Sequence, residues 1–222
     1  MFRALVLDFD GLILDTERPV YESWRWAFEA HGHALSIGEW AVCIGTPEAW
    51  DPLDRLRALG AVDEAVLQQR HEVRDSLLAA ESVLPGVLDL LADAAALGLR
   101  VGIASSSPLD WVVGHLSRLG LAERFECVAC WRDSVRGKPA PDLYLEACAA
   151  LDAAPSEAVA FEDSANGVLA AKAAGMRCVA VPHALTEALD LSPADLIVGS
   201  LASVSLPALL DQWSRPARSV GA

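Results

Sequence analysis

Residues 4–11 read Ala4-Leu5-Val6-Leu7-Asp8-Phe9-Asp10-Gly11, an apolar run that stops on two acids and a glycine. A short continuous apolar run with no polar alternation suits a strand buried on both faces, as in a parallel sheet covered by helices. In such sheets ligands bind beyond the carboxyl ends of the strands, where Asp8 and Asp10 fall. Residues two apart on a strand point to the same side, so both carboxyls can approach one site, and Gly11 lets the chain turn sharply. Two such acids repel, and a bound cation would relieve the repulsion; hard oxygen ligands suit Mg²⁺. An ordinary strand-end turn would account for Asp10-Gly11 but not for Asp8.

Outward from this stretch the same pattern repeats. Arg100 to Ala104, Cys127 to Cys130, Ala158 to Phe161, Cys178 to Val181 and Asp195 to Val198 read as strands. Between them, Gly86 to Leu97, Leu109 to Leu119, Pro141 to Leu151 and Gly167 to Ala174 carry apolar residues at three-and-four spacing, as crossover helices should. The expected fold is α/β, a doubly wound parallel sheet with helices on both sides. Residues 16–83 break the alternation: Val20 to His31, Glu39 to Val42, Leu53 to Leu59 and Glu64 to Ala80 are all helical in pattern. They predict a helical insertion after the first strand. Pro85-Gly86 marks the return to the sheet. The expected organisation is a core of 1–15 and 84–213, a helical cap of 16–83 and a flexible tail of 214–222.

Three further strand ends carry polar chemistry. Glu162-Asp163 follows an apolar strand as Asp8-Phe9-Asp10 does, although acids there can also cap the next helix. Ser105-Ser106-Ser107-Pro108 supplies hydroxyls and N–H groups ahead of a helix, an anion site or a plain helix start. Gly137-Lys138-Pro139-Ala140-Pro141 puts a cation before another helix. Each is ambiguous alone, but a fixed cation near several acids and an anion-binding serine loop makes a phosphate site.

Composition narrows the class. A formal charge of −14 over 222 residues repels phosphate backbones, and the 17 Lys and Arg are scattered, so no nucleic-acid partner is expected. The hydrophobic fraction is 53%, yet no stretch approaches the roughly 20 apolar residues of a membrane span. Residues 4–9 are too short and too acidic for a signal peptide, which makes the cytoplasm the expected location. Five cysteines do not suggest a disulfide framework in a chain of this length. Cys127 and Cys130 form a lone CxxC in a strand-like run, better read as two free thiols than as a zinc site.

The order acid pair, serine loop, lysine, acid pair resembles the haloacid-dehalogenase superfamily, in the branch of β-phosphoglucomutase-like and small-metabolite phosphatases with a helical cap. The matching stretches are DFDGLILDTE from Asp8, LPGVLDLL from Leu84, IASSSP from Ile103, GKPAPDLY from Gly137 and FEDSANGVLAAKAAGM from Phe161. The resemblance covers nearly the whole chain and is loose within the cap. It implies a Rossmann-like core and a Mg²⁺-dependent phosphatase acting through an aspartyl-phosphate on Asp8. By resemblance Asp10 is the general acid and base, Ser105 the phosphate-binding hydroxyl, and Lys138 the cation that steadies nucleophile and phosphoryl oxygens. Asp8, Asp10 (through its carbonyl), Glu162 and Asp163 are the implied metal residues, and Ser106, Asn166 and Gly11 lie where phosphate contacts would be. The implied partner is a small phosphorylated metabolite, a sugar phosphate or nucleoside monophosphate, and the chain is expected as a monomer or weak dimer.

Related mutases carry a His shortly after the Asp-Thr of the first motif and an Arg in the first cap loop. Here Val20 and Glu48 stand near those places, which favours hydrolysis over mutase activity. A non-catalytic binding protein is disfavoured because all four motifs hold competent residues. The cap should set specificity, with Glu17, Arg18, Glu48, Trp50, Asp51, Arg55 and Arg74 as candidates.

Overall fold

Six parallel strands form the sheet among the described residues, β1 (Ala4–Leu7), β2 (Arg100–Ser105), β3 (Cys127–Cys130), β4 (Ala158–Glu162), β5 (Arg177–Ala180) and β6 (Leu196–Ile197), in the order β3-β2-β1-β4-β5-β6. The structure, a computed structural model, describes residues 1–41, 51–60 and 63–215. Five helices serve the sheet: α5 (Val87–Ala96), α6 (Leu109–Arg118), α7 (Asp142–Ala150), α8 (Ala165–Ala173) and α9 (Leu206–Ser214). The order reverses at β1, so the chain winds both ways from it, the doubly wound arrangement read from the sequence.

The two-residue period of the strands sorts side chains by size. Leu5, Leu7, Ile103, Val159, Phe161 and Val179 face one layer, where they meet Leu90 and Leu91 of α5, Val112 and Leu116 of α6, and Leu206 and Leu209 of α9. Ala4, Val6, Ala104, Ala158, Ala160 and Ala180 face the other, against Leu143, Tyr144 and Ala147 of α7 and Val168 and Ala171 of α8. Small side chains on that second face leave room for the large ones on α7. Register levels the working rim: Leu7 pairs with Ile103 on one side and Phe161 on the other, so β1, β2 and β4 end side by side.

The described residues of 17–80 hold the helices α1 (Glu17–Ala30), α2 (Ile37–Ala41), α3 (Pro52–Ala58) and α4 (Glu64–Ala80). Asp51 and Asp63 cap α3 and α4 by accepting from Leu53 N and Ala65 N, at 2.7 and 2.9 Å. Tyr21, Ala27, Phe28, Leu35, Trp40 and Leu56 make a separate apolar cluster, joined from the sheet side by Leu185. At the two crossings Leu14 bridges to Val83 and Leu84 N donates to Ile13 O at 2.9 Å.

Some details depart from the sequence reading. β1 ends at Leu7 rather than Phe9, and one more backbone bond, from Asp8 N to Phe161 O, follows it. Helix α8 begins at Ala165 and is capped by Ser164, whose hydroxyl accepts from Gly167 N at 3.1 Å, so neither Glu162 nor Asp163 caps it. Helix α9 adds to the elements expected from the sequence: Leu206, Leu209, Leu210 and Trp213 have helical spacing and Pro207 sits in its first turn. Cys127 and Cys130 are free thiols on β3. No helix among the described residues is long and apolar enough to cross a membrane.

Candidate active site

Asp8 leaves β1 at its carboxyl end with its N–H bonded to Phe161 O at 2.9 Å, which anchors it between β1 and β4. The residue is 6% exposed and its Oδ1 accepts from Lys138 Nζ at 2.5 Å. The same ammonium donates to Glu162 Oε1 at 2.5 Å. Burial alone would push the Lys138 ammonium toward the neutral form, but Asp8 and Glu162 outweigh it and hold its pKa above the ordinary lysine value.

Glu162 ends β4 and is fully buried. Its Oε1 also accepts from Tyr144 Oη at 2.5 Å, and its Oε2 from Asp163 N at 3.2 Å and Ser164 Oγ at 3.3 Å. Burial and the Glu162 charge keep the Tyr144 phenol protonated and able to donate. Gly167 is required beneath this carboxyl, since a Cβ there would lie 1.9 Å from Glu162 Cδ.

Asp163, 2% exposed, completes a buried trio: Asp8, Glu162 and Asp163 each offer a carboxylate oxygen within 4.8 Å of the others. Asp8 is pushed well above the usual carboxylate range by burial, with Lys138 opposing and Glu162, Asp163 and Asp10 adding to the rise. Asp163 is raised by burial and then by Glu162, with Lys138 opposing. One lysine thus faces an excess of buried negative charge, and all the donors are hard oxygens, a set that fits a small divalent cation. Glu162 already accepts four hydrogen bonds, which leaves Asp8 and Asp163 as the better donors to such an ion.

The Asp10 carboxylate points elsewhere. Its Oδ1 accepts from Thr16 Oγ1 at 2.7 Å and Trp111 Nε1 at 2.9 Å, and its Oδ2 from Ser107 Oγ at 2.7 Å and Ser105 Oγ at 3.3 Å. Ser105 is fully buried, and its hydroxyl also accepts from Ser107 N at 3.0 Å.

A family model for haloacid dehalogenase-like hydrolases matches residues 2–175 of this chain. The chain belongs to that family. Among proteins of similar sequence, YhcW of Bacillus subtilis (strain 168), a candidate phosphatase, is 42% identical over 214 residues, covering 95% of this chain and 97% of YhcW. The β-phosphoglucomutase of the same organism is 28% identical over 236 residues, covering 96% of each chain. A crystal structure of a CbbY variant from Rhodobacter sphaeroides in complex with xylulose-(1,5)bisphosphate superposes with a TM-score of 0.74 at 28% identity, covering 92% of this chain and 97% of that one.

The hydrolase therefore gathers Asp8, Lys138, Glu162 and Asp163 through direct contacts, and Asp10 with Ser105 beside them. Gly11 has φ +78°, and a Cβ there would lie 2.4 Å from Asp163 Oδ2, so its bareness makes room for the acid. Ser106 is exposed, near Gly137, and Asn166 sits in the first turn of α8. Glu17 is half-buried at the start of α1, and its carboxyl is pushed up to about 8 by burial, then by Asp10 and Asp163, with His183 opposing. Arg18 instead bonds Asp15 and Glu81, tying together the two crossings between helical segment and sheet. Arg55 lies 4.0 Å from Glu39, and Asp51 is spent on capping α3. Arg74, bonded to Asp75, reaches the site side, with its guanidinium carbon 5.9 Å from the centre of the Trp111 ring. Glu48 and Trp50 lie outside the described residues.

Sequence reading missed Thr16, Ser107 and Trp111 on Asp10, Tyr144 on Glu162, and His183. His183 Nδ1 accepts from Leu185 N at 3.3 Å, so Nε2 carries the proton and donates to Asp163 Oδ2 at 3.0 Å. Burial keeps this imidazole below its usual pKa, against the pull of Glu17 and Asp15, which suits a neutral donor. A histidine three residues past a strand end was the available signal, since β5 ends level with β4.

Proposed function

We propose that this hydrolase is a Mg²⁺-dependent phosphatase of small phosphorylated metabolites, with phosphosugars the leading class, working through an aspartyl-phosphate on Asp8. The observation that carries the reading is the buried Asp8–Lys138–Glu162 contact beside Asp163, a nucleophile held by a fixed cation at the rim where three strands end together.

In the first step an Asp8 carboxylate oxygen attacks phosphorus in line, a bond from Asp8 to phosphorus forms, and the bond from phosphorus to the leaving oxygen breaks. Asp10 gives that oxygen its proton. In the second, Asp10 takes a proton from water as the water attacks the same phosphorus, which returns Asp8 and releases inorganic phosphate. Lys138 offsets charge on the transferring oxygens, and Glu162, gripped by Tyr144 and Ser164, keeps Lys138 in place. Mg²⁺ held by Asp8 and Asp163, with the Asp10 carbonyl, would supply the remaining positive charge and keep Asp8 ionised. His183 donates to Asp163 Oδ2 and orients it for that role.

Hydrolysis is favoured over phosphoryl retention because Val20, where related mutases carry a His, is half-buried and packs into the apolar cluster of the helical segment. It cannot donate to Asp10. The experiment is a phosphate-release screen over sugar, nucleoside and glycolate phosphates, with Mg²⁺ and with EDTA, for wild type and Asp8→Asn. Release that needs Mg²⁺ and vanishes in Asp8→Asn is expected. Full turnover by Asp8→Asn, with deamidation excluded by mass spectrometry, would rule out the covalent route. Glucose 6-phosphate forming from β-glucose 1-phosphate far faster than phosphate is released would make the chain a mutase.

A further inference from the structure

We propose that Trp111 is the positioning residue of Asp10, and that through its indole ring the helical segment, by way of Arg74, reaches the group that moves the proton. The inference rests on the phosphatase reading for its kinetic consequence and on geometry alone for its structural one.

Four donors hold the Asp10 carboxylate, and they are not equivalent. Thr16, Ser105 and Ser107 bring hydroxyls, which rotate freely and can turn to accept instead. Trp111 brings an indole N–H, which only donates, and its direction is set by the whole ring. That ring is clamped. On one side the His115 ring stands edge-on at 4.5 Å between centroids and 78°, one turn further along α6. On another, Arg74 from α4 approaches, 5.9 Å from guanidinium carbon to ring centre, within the range in which a cation is drawn to an indole face. The ring is half-buried and packs against the large-side-chain layer of the core. Trp111 Nε1 therefore pins Asp10 Oδ1 from a fixed place. On Oδ2, Ser105 is the longest of the four contacts, at 3.3 Å, and Ser107 is free to rotate. Oδ2 is the oxygen that can turn to the leaving group while Oδ1 stays anchored. The place of Arg74 over the ring is thus linked to Oδ1 through one rigid body.

A fixed Asp10 matters most where its proton is needed. An alkoxide cannot leave phosphorus without that proton, whereas 4-nitrophenolate can. Trp111→Phe keeps an aromatic ring on α6 and removes the N–H together with the fused five-membered ring that carries it. It should lower kcat/KM for β-glycerol phosphate by about tenfold, the size of losing one hydrogen bond to a charged group, and for 4-nitrophenyl phosphate by less than about twofold. A residue that merely supports the fold would depress both alike, so equal losses, or no loss with the alkyl ester, would overturn the proposal. A second measurement is independent of turnover. The Trp111 indole N–H resonance, assigned by its disappearance in Trp111→Phe, should move and become open to solvent exchange in Asp10→Ala, and should shift in Arg74→Ala. A resonance unmoved in Asp10→Ala would also overturn it. Were the wild type to release phosphate from neither ester, the phosphatase reading would fall while the resonance experiment still decided the contact.

Discussion

Gly167 stands in the first turn of α8, and helix propensity alone says that Gly167→Ala should stabilise the protein by up to about 1 kcal/mol. The structure reverses the sign. An added Cβ would sit 1.9 Å from Glu162 Cδ and Oε2 and 2.1 Å from Oε1. A carboxylate at the end of a free side chain would swing aside, but Glu162 is fully buried and its oxygens are held by Lys138, Tyr144, Ser164 and the Asp163 amide. Displacing it breaks the Lys138 and Tyr144 bonds, each worth about 1.5–3 kcal/mol for a charged acceptor. Set against the propensity gain, the net loss is about 2–5 kcal/mol. In a chain of this size that lowers Tm by about 5–15 °C. Thermal melts in EDTA should show the drop in the single variant, together with lost phosphate release as Lys138 loses its second anchor. In a Glu162→Ala background the clash is gone, and the same Gly167→Ala change should be neutral or stabilising. A single variant that melts at or above wild type would refute the argument that the Glu162 carboxyl is immobile.

Two further perturbations test other parts of the site. Gly11→Ala combines a φ of +78°, costing about 1–2 kcal/mol for a residue with a Cβ, with a contact 2.4 Å from Asp163 Oδ2 and 2.8 Å from His183 Nε2. Displacing Asp163 by about 1 Å should cut phosphate release about 100-fold and weaken Mn²⁺ binding in calorimetry; unchanged metal affinity would separate Gly11 from that site. The Glu17 carboxyl is raised from 4.5 to about 8, so between those values the folded protein binds more protons than the unfolded chain, and stability falls as pH rises through that window and then levels. Glu17→Gln removes this slope, and in EDTA its Tm advantage over wild type should grow from pH 5 to pH 9; a constant difference would mean that burial, with Asp10 and Asp163 beside it, does not hold the Glu17 carboxyl up.

What the chain's order of residues decided by itself is the sheet and the acids at its rim. Continuous apolar runs such as Ala4 to Leu7 and Ala158 to Phe161, alternating with helical stretches, suit buried parallel strands, and the residues that follow such strands emerge at one rim. Asp8, Glu162 and Asp163 are legible for that reason, whereas Lys138 stands well past the end of β3 and is marked instead by the glycine before it and the prolines that open α7. The helical pattern of Glu64 to Ala80 came out to the residue, because its apolar spacing and its Asp63 cap are local. Other features depend on distances through space. Trp111 sits 101 residues from Asp10 and Tyr144 18 residues from Glu162, and no periodicity in either segment says that their N–H or O–H will meet a carboxylate. His183 reaches Asp163 only because β5 lies beside β4 and its loop folds back over Gly11. Gly167 reads as a poor helix residue until Glu162 is seen beneath it. Arg18, a candidate for setting specificity on sequence alone, spends its charge on Asp15 and Glu81, since the two crossings of the helical segment run side by side. Strand order and local spacing could place the charged groups at one rim, but which donors saturate them is decided by loops that approach from distant parts of the chain, where a shift of an ångström makes or breaks a hydrogen bond.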